Sequence, residues 1–339
     1  MRRRYLALLL MLALVGVGGC HSVIAADESR AIEPPPSADV ATSQAESTVT
    51  QTATATPTAT ATATITPQPT DTAVPTHTPE PTATPTPGSS PTPQPTVPPT
   101  ATYPPPPESV NVPILMYHYV SELPPDADVY RRDLTVLPER FEAQLHYLFR
   151  EGYQTVTLAD VHARLTTGKP LPARPIVLTF DDGYKDAYTI VTPLLQQFGF
   201  VGEFFVLATP AHYEAEPYLT WNEMQEMAAA GMSMQAHGRD HVDLTNRSYD
   251  FLVYQILGAR EAVEAHTGTP VHFFCYPSGR HDADTEAVVA SAGYLGGVTT
   301  AWGNELTLDN AYAWPRIRIK GAWDLDQYAA ILASLPQSN

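Results

Sequence analysis

The segment Val177-Leu-Thr-Phe-Asp-Asp-Gly-Tyr184 joins an apolar strand pattern to a pair of acids. Apolar and β-branched residues lead directly into two carboxylates and a glycine, which predicts a buried strand with an abrupt end. Because side chains alternate faces along a strand, Asp181 and Asp182 converge on one site only if the chain turns, and Gly183 permits that turn. One carboxylate can then bind a metal while the other stays free as a base.

A second segment, Met232-Ser-Met-Gln-Ala-His-Gly-Arg-Asp-His241, provides histidines. His237 ends a short apolar run and His241 follows four positions later. Imidazole and carboxylate form a ligand set suited to zinc, so we expect Asp182, His237 and His241 to be three protein ligands. The fourth position is then left to water or substrate, as in catalytic zinc sites. Either segment alone is commonly a surface feature, but their occurrence together at strand ends favours a metal site.

Strand and helix patterns alternate about eight times between residue 108 and the C-terminus, residue 339. Amphipathic helices are predicted at 138–150 and 248–266, and Thr220-Trp-Asn-Glu223 is typical of a capping box. This alternation predicts an α/β fold, a parallel (β/α) barrel, with the motif residues at the C-terminal ends of its strands. The predicted strands lie near residues 112–117, 154–157, 175–180, 203–207, 232–236, 271–276, 295–299 and 316–319.

The N-terminal third of the chain has a different composition. Residues 1–19 have three arginines and a short leucine-rich run, which predicts a secretion signal, and Val17-Gly-Gly-Cys20 resembles a bacterial lipobox, so Cys20 is the predicted lipidation site. An ordinary signal with an incidental cysteine is the alternative. Of the chain's 34 prolines, 20 lie between Ala26 and Pro107, among threonine and serine. We therefore predict a disordered tether over residues 20–107, before a globular domain over residues 108–339.

Two of these segments resemble motifs of a known family, the NodB-homology polysaccharide deacetylases, or carbohydrate esterase family four. They are Thr179-Phe-Asp-Asp-Gly-Tyr184 and His237-Gly-Arg-Asp-His241. Pro113-Ile-Leu-Met-Tyr-His118 is similar to the opening strand of the branch that de-N-acetylates poly-β-1,6-N-acetylglucosamine. Weaker similarities cover Phe274-Cys-Tyr-Pro-Ser-Gly279, Gly297-Val-Thr-Thr300 and Trp314-Pro-Arg-Ile317, and the resemblance as a whole covers about residues 110–335.

The resemblance implies a distorted (β/α) barrel and a metal-dependent hydrolase. It implies that a divalent metal, expected to be zinc, is held by the Asp182, His237 and His241 set and activates water, with Asp181 as the base. A backbone N–H of the family's third motif assists the oxyanion, and the matching position is Tyr276. Leaving amines need a general acid. The late Leu-x-His motif that supplies it in most members is absent, so the early histidine of the branch, His118, is the candidate.

A second departure from the family pattern concerns arginine. Many members begin the third motif with an arginine that orients the catalytic aspartate, whereas this chain has His272-Phe-Phe-Cys275 there. Arg316, near the end of a late strand, is the predicted replacement and is expected to lower the pKa of Asp181. Arg280 is the alternative, and either arginine is otherwise a surface charge.

Other candidates have structural interpretations of equal or greater weight. Cys275 lies among aromatic residues and is predicted to be a small buried residue. Four aromatic residues are interpreted either as sugar-stacking groups or as packing groups: Tyr184, Trp221, Trp302 and Trp314. The remaining histidines have no ligand spacing with the acids and are predicted to be structural or solvated: His146, His162, His212, His266, His272 and His281.

The net charge of −17 argues against a nucleic-acid partner. Taken together, the motifs, the family resemblance and the N-terminal segment predict a monomeric, extracytoplasmic enzyme that is anchored to a bacterial membrane through lipid on Cys20. This enzyme is expected to remove N-acetyl groups from polysaccharide containing N-acetylglucosamine. Three alternatives remain: a deacetylase acting on peptidoglycan, chitin oligomers or xylan O-acetyl groups; a non-catalytic glycan-binding module on a stalk; and an adhesin whose work is done by the tether.

Overall fold

The computed structural model describes residues 103–336 of the 339-residue chain. The predicted signal peptide, the Cys20 lipidation site and most of the predicted tether lie outside these residues. The last five residues of the predicted tether, 103–107, are described, have no regular secondary structure and are mostly exposed. No helix among the described residues is long and apolar enough to cross a lipid bilayer.

Short strands alternate with helices through the described part of the chain. In chain order the strands are β1 (Ser109–Asn111), β2 (Ile114–Tyr117), β3 (Tyr119–Val120), β4 (Thr135–Val136), β5 (Gln154–Thr155), β6 (Pro175–Phe180), β7 (Glu203–Val206), β8 (Ser233–Ala236), β9 (Phe273–Cys275), β10 (Gly296–Trp302), β11 (Glu305–Thr307) and β12 (Trp314–Arg318).

The α-helices are α1 (Val129–Leu134), α2 (Pro138–Arg150), α3 (Leu158–Thr167), α4 (Thr192–Phe198), α5 (Ala208–His212), α6 (Trp221–Ala229), α7 (Tyr249–Thr267), α8 (Ala283–Ser291) and α9 (Leu325–Ser334). A π-helical turn, Ala187–Val191, precedes α4 directly, and two 3₁₀ turns occupy Pro277–Gly279 and Ala311–Ala313.

Seven parallel strands close into a barrel in the order β2-β12-β10-β9-β8-β7-β6, and β6 pairs back with β2. The predicted parallel barrel is confirmed, but the prediction of a further barrel strand near 154–157 is wrong in one respect. The strand there, β5, has two residues and pairs only with β6, outside the closed ring. The barrel closes without it because β2 occupies the other side of β6, with Ile114 opposite Val177.

The barrel is distorted between β10 and β12. Val298 is opposite Trp314 and Trp302 is opposite Arg316, so four residues of β10 cover the length of two residues of β12. Such an irregularity bends the longer strand and changes the direction of its side chains. The last three residues of β10, from Thr300 to Trp302, are consequently exposed at the C-terminal end of the barrel.

Helix boundaries follow local chemistry that is visible in the sequence. α2 begins with proline and turns Phe141 and Leu145 into the core, as its apolar spacing predicts. The capping box predicted for α6 is present, with the Thr220 side chain accepting a hydrogen bond from the backbone N–H of Glu223. α7 ends at Gly268, whose φ of 70° is the left-handed conformation that glycine adopts most readily.

Two apolar clusters hold the barrel together. The larger lies between the strands and the surrounding helices, while the smaller includes Val177, Phe205 and Trp314 together with residues of α3. On β6 this division follows the strand period of two, because Ile176 and Leu178 belong to the outer cluster and Val177 to the inner one. The barrel interior is therefore filled with apolar side chains at its base.

Candidate active site

The predicted site residues gather at the C-terminal end of the barrel. His118 follows β2, Asp181 and Asp182 follow β6, and His237 follows β8. These residues line one cleft of about 280 Å³. Parallel strands bring their C-terminal ends to a single edge, so residues far apart in sequence meet there.

The two acids separate because the chain reverses direction at Asp182. Its φ is 72° and that of Gly183 is 71°, so two successive residues adopt the left-handed conformation. A side chain at Gly183 would also come within 3.2 Å of Val206. The sequence pattern indicated a turn at the glycine, but the strained conformation of Asp182 itself was not predicted.

The Asp182 carboxylate faces both histidines of the second segment. Its Oδ1 lies 3.2 Å from His237 Nε2 and 3.5 Å from His241 Nε2. The three side chains offer one ligand atom each within a sphere small enough for a single ion. His237 and Asp182 are buried, whereas the His241 side chain is 41% exposed, so one side of this cluster opens to the cleft.

The hydrogen bonds of this cluster fit a divalent cation. His237 Nδ1 lies 2.7 Å from the carbonyl oxygen of Cys275, which can only accept, so Nδ1 carries the proton. In the neutral ring the Nε2 lone pair then points at Asp182 Oδ1, a buried oxygen with no hydrogen-bond partner. Two lone pairs facing each other in a buried site need either a proton or a metal cation between them, and Asp/His sets of this kind suit zinc.

Asp181 takes no part in that cluster because Arg316 binds both of its oxygens. Nη1 lies 2.8 Å from Oδ1 and Nη2 lies 2.7 Å from Oδ2, which is the bidentate geometry. Both side chains are buried. Burial alone would raise the pKa of Asp181, but the charge and hydrogen bonds of Arg316 outweigh it and hold that pKa well below its usual range.

The guanidinium of Arg316 is itself fixed by three further acceptors. Nε donates to Thr299 O at 2.9 Å, Nη1 donates to Thr179 Oγ1 at 3.0 Å, and Nη2 lies 3.3 Å from Cys275 Sγ. Sequence reasoning missed these supports. The period-two pattern of β6 could have indicated Thr179, because it points to the same side of the strand as Asp181.

Cys275 is buried, as predicted, but its surroundings are polar as well as aromatic. Its Sγ lies 3.5 Å from Asp181 Oδ2, and burial raises the pKa of its thiol. Asp181, His237 and Cys275 also lie close enough to share an ion. We discount this second cluster because Arg316 already occupies both oxygens of Asp181, and its guanidinium would repel a cation there.

His118 stands beside the acid that Arg316 holds. Its Nε2 is 3.9 Å from Asp181 Oδ2 and its side chain is 15% exposed, so the ring borders both the acid and the cleft. Burial lowers the pKa of His118, and the nearby carboxylates of Asp181 and Asp182 oppose that effect only in part.

Tyr276, whose backbone N–H is the predicted oxyanion donor, borders the cleft. Its backbone N–H donates to Val298 O at 3.2 Å within the sheet. Participation in an oxyanion site would require this N–H to be shared or released, so the role of Tyr276 stays a prediction. The next turn is strained, since Ser278 has a φ of 57° and is also exposed at the cleft.

The structure distinguishes among the other candidates. Arg280 has a side chain that is 62% exposed and binds Asp243 at 2.8 Å, so Arg316 is the arginine that meets the acid. Of the four aromatic candidates, Trp314 is buried in the core, Trp221 stacks on His266, and Tyr184 stacks between Tyr119 and Tyr218. Trp302 alone among those four has a large exposed surface, at 55%.

The aromatic ring most exposed at the cleft was not predicted. Tyr130, in α1, lines the cleft and is 74% exposed. It lies in a short helix between β3 and β4 that the sequence patterns did not indicate, since none of the residues of α1 is buried. Without a buried face, a helix has no apolar periodicity to reveal it.

A comparison with protein-family models matches residues 168–297 to the family described as polysaccharide deacetylase. The match includes both predicted motif segments, with Asp181, Asp182, His237 and His241. Residues 168–297 of the chain therefore match the polysaccharide deacetylase family.

Curated relatives and solved structures agree with this assignment. A Bacillus subtilis (strain 168) protein assigned to the polysaccharide deacetylases, YxkH, is 28% identical over 224 residues, which are 66% of this chain and 77% of that protein. The solved structure of the Streptococcus pyogenes deacetylase PplD in complex with acetate superposes with a TM-score of 0.61 at 27% identity, over 65% of this chain and 97% of that one.

A third relative is named for its glycan. The poly-β-1,6-N-acetyl-D-glucosamine N-deacetylase of Escherichia coli (strain K12) is 34% identical over 113 residues, which are 29% of this chain but 16% of that protein. The family and its structural neighbours make this polysaccharide deacetylase a hydrolase.

Proposed function

We propose that this polysaccharide deacetylase is metal-dependent and removes N-acetyl groups from polysaccharide that contains N-acetylglucosamine. One observation carries the proposal: two adjacent carboxylates have opposite partners. Asp181 is held by a buried arginine, and Asp182 faces two histidines. A site that separates a base from a metal ligand in this way is suited to hydrolysis of an amide.

Asp182, His237 and His241 are the residues proposed to hold the metal, with zinc as the expected ion. A divalent metal at this position supplies Lewis acidity, which lowers the pKa of water and polarises an acetyl carbonyl. Among residues 103–336 the cluster offers three protein ligands, and His241 faces the cleft. A three-ligand set of this kind leaves room for water or substrate.

Asp181 is proposed as the general base. Because Arg316 holds its pKa well below the usual range, the carboxylate stays ionised at neutral pH and is able to accept a proton. The bidentate contact also fixes the carboxylate plane, so the base does not have to be oriented during the reaction. Arg316 therefore acts through Asp181 and has no proposed contact with substrate.

His118 is proposed as the general acid that protonates the leaving amine. It is placed at the cleft, 3.9 Å from the carboxylate of the base. Burial lowers the pKa of His118, which makes its imidazolium a stronger acid and favours transfer of the proton to an amine. The branch of the family that this chain resembles has a histidine in the same early segment.

Three observations support an N-acetylglucosamine polymer as substrate. The Escherichia coli relative is named for removing acetyl groups from such a polymer, the early histidine is present, and the cleft has an open aromatic rim at Tyr130. The net charge of −17 also suits a glycan that becomes cationic as it is deacetylated. Peptidoglycan, chitin oligomers and acetylated xylan are the alternative substrates.

The same proposal extends to the cellular setting. We infer that residues 1–19 direct export, that lipid on Cys20 anchors the chain to a bacterial membrane, and that residues 20–107 tether the domain of residues 108–339 outside the cytoplasm as a monomer. The composition of the N-terminal third supports this arrangement. Cells are grown with labelled palmitate and then fractionated, so that both the lipid label and the location of the protein are measured. A Cys20→Ala variant that stays in the membrane fraction would contradict the lipid anchor.

The substrate proposal is tested with the purified full chain and N-acetylglucosamine oligomers of β-1,6 and β-1,4 linkage. We expect acetate release that depends on added zinc and is faster with the β-1,6 oligomers. Faster release from β-1,4 oligomers would reassign the substrate to chitin or peptidoglycan. Bound zinc without acetate from any glycan, acetylated xylan included, would favour a binding module and overturn the proposal.

A further inference from the structure

Asp186 connects the chain segment after His118 to the segment after the paired acids. Its Oδ2 accepts a hydrogen bond from the backbone N–H of Val120 at 2.8 Å. Val120 lies two residues after His118, and Asp186 lies four residues after Asp182, immediately before a π-helical turn. One side chain thus spans the two loops that carry the proposed acid and the proposed base.

His118 itself lies outside the sheet, so neighbouring contacts must fix its position. Before it, Tyr117 O accepts from the N–H of Asp181 at 3.0 Å, where β2 and β6 end together. After it, the bond from Val120 to Asp186 is the next link back to the β6 side. His118 therefore lies between two backbone groups, Tyr117 O and Val120 N, that are each hydrogen-bonded to the segment beginning with Asp181.

Aromatic stacking strengthens the same connection. Tyr119, adjacent to His118, stacks on Tyr184 with ring centroids 3.8 Å apart, and the Arg131 guanidinium covers the Tyr119 ring at 3.2 Å. Arg131 also donates to Ser121 Oγ at 3.0 Å. The residues on both sides of the Val120 to Asp186 bond are therefore packed, which favours a fixed loop over a mobile one.

Asp186 is half-buried, and its surroundings shield one of its two oxygens from water. Its Oδ1 is shielded from solvent and has no hydrogen-bond partner. The Nε of Arg131 is also shielded from solvent and has no hydrogen-bond partner. Burial raises the pKa of Asp186 to about 6, against the opposing effects of the Val120 hydrogen bond and the Arg131 charge. A carboxyl kept in such a costly position, bonded to the backbone two residues after the proposed acid, calls for a function beyond loop closure.

We propose that Asp186 is a positioning residue that holds His118 at its distance from Asp181 and from the cleft. The inference rests on the proposed function, because it assumes that His118 acts as the proton donor. Asp186 acts only through the backbone of residues 119–120 and touches neither metal nor substrate. Small displacements of a catalytic group reduce the rate steeply, by up to about 100-fold for roughly 1 Å.

The test compares Asp186→Ala with Asp186→Asn in the purified, zinc-loaded full chain. The alanine removes the acceptor, whereas the asparagine keeps a carbonyl oxygen of the same reach. We expect Asp186→Ala to lower kcat by about 10- to 100-fold with KM and zinc content unchanged, and Asp186→Asn to restore most of the rate. Asp160→Ala is the matched control, because Asp160 accepts a backbone N–H in a similar way at the start of α3 and should leave kcat unchanged.

A double-mutant cycle decides whether the effect passes through His118. In the His118→Asn background, Asp186→Ala should cause no further loss of kcat, because the group that it positions is already gone. An equal loss in both backgrounds, or wild-type kcat in Asp186→Ala, would overturn the inference. Wild-type kcat in His118→Asn would instead remove His118 from the proposed function, which is a separate failure.

A spectroscopic measurement tests the inference without any turnover. The His118 imidazole signals in a ¹H–¹⁵N spectrum are assigned by their loss in His118→Asn. We expect these signals to shift in Asp186→Ala and to remain near their wild-type positions in Asp186→Asn. Unshifted His118 signals in a folded Asp186→Ala protein would show that the histidine is positioned by other contacts, even if no substrate were known.

Discussion

Arg316 binds Asp181 through two parallel hydrogen bonds of 2.8 and 2.7 Å, between β12 and the end of β6, two strands that β2 separates in the ring. Both side chains are buried, so the pair is nearly isolated from solvent. The contact separates two adjacent carboxylates that the chain would otherwise present as equivalent. The Asp181 carboxylate binds Arg316, whereas the Asp182 carboxylate faces His237 and His241.

The Arg316→Lys variant should slow deacetylation while zinc stays bound. A lysine keeps the charge but cannot bind both oxygens or reach the acceptors on β6 and β10. We expect kcat to fall roughly 10- to 100-fold, and the acidic limb of the pH profile to move to higher pH as the pKa of Asp181 rises. Arg280→Lys, an exposed arginine paired with Asp243, is the control. Loss of zinc in Arg316→Lys, or an unchanged rate, would contradict the assigned role.

The His237→Ala variant should lose zinc, because this buried histidine supplies one of three proposed ligand atoms. Elemental analysis after dialysis should show about one zinc in the wild type and far less in the variant. His266→Ala is the control, since that histidine is exposed and lies on α7, away from the acids. Full zinc content in His237→Ala would rule out the proposed ligand set.

Trp302→Ala should weaken binding of long oligomers without changing the chemical step. Trp302 is 55% exposed at the extended end of β10, next to Thr300 of the cleft. Loss of one stacked sugar is worth about 1 kcal/mol, so KM should rise about 5-fold with kcat constant. Tyr249→Ala removes a ring that is 65% exposed elsewhere and serves as control. Equal KM values for both variants and the wild type would exclude Trp302 as a sugar contact.

Glu203 should make the barrel less stable as the pH rises. It is buried at the start of β7, where Oε1 accepts from Leu158 N at 2.7 Å and Oε2 lacks a partner. Burial raises its pKa from 4.5 to about 7, so between these pH values the folded chain binds more protons than the unfolded chain. The free energy of unfolding therefore falls as pH rises through this window, by up to ~3 kcal/mol at about 1.4 kcal/mol per pKa unit.

The Glu203→Gln variant tests this dependence by thermal unfolding at pH 4.5 and pH 8. The amide keeps an acceptor for Leu158 and carries no charge. We expect the variant to match the wild type at pH 4.5 and to be more stable at pH 8. Equal melting temperatures at pH 8 would show that the carboxylate is stabilised by contacts other than those of the described residues.

Much of the fold could be predicted because its signals are local. The apolar run before Asp181, the proline at the start of α2 and the capping box of α6 each act within a few residues, and the structure has all three. The closure of the barrel depends on pairing between β2 and β6, which are separated by about sixty residues. No local pattern in the sequence indicates such a pairing, so the strand near residues 154–157 was wrongly assigned to the closed ring.

The candidate site shows the same division. The acids and histidines were found because residue type and position at strand ends both point to metal chemistry. The supports were not found, because Thr179, Thr299 and Cys275 contact Arg316 only after the barrel closes. The left-handed conformation of Asp182 was likewise hidden, since aspartate is compatible with ordinary backbone angles and only the tertiary structure imposes this one.

Zinc content and acetate release, measured on the same preparations of wild type and Asp181→Asn, test the division between base and ligand most directly. The account predicts about one zinc per chain in both proteins, with acetate released from N-acetylglucosamine oligomers by the wild type alone. Bound zinc in Asp181→Asn also shows that the variant is folded at the site. Acetate release by Asp181→Asn at a rate near that of the wild type, or loss of its zinc, would contradict the account.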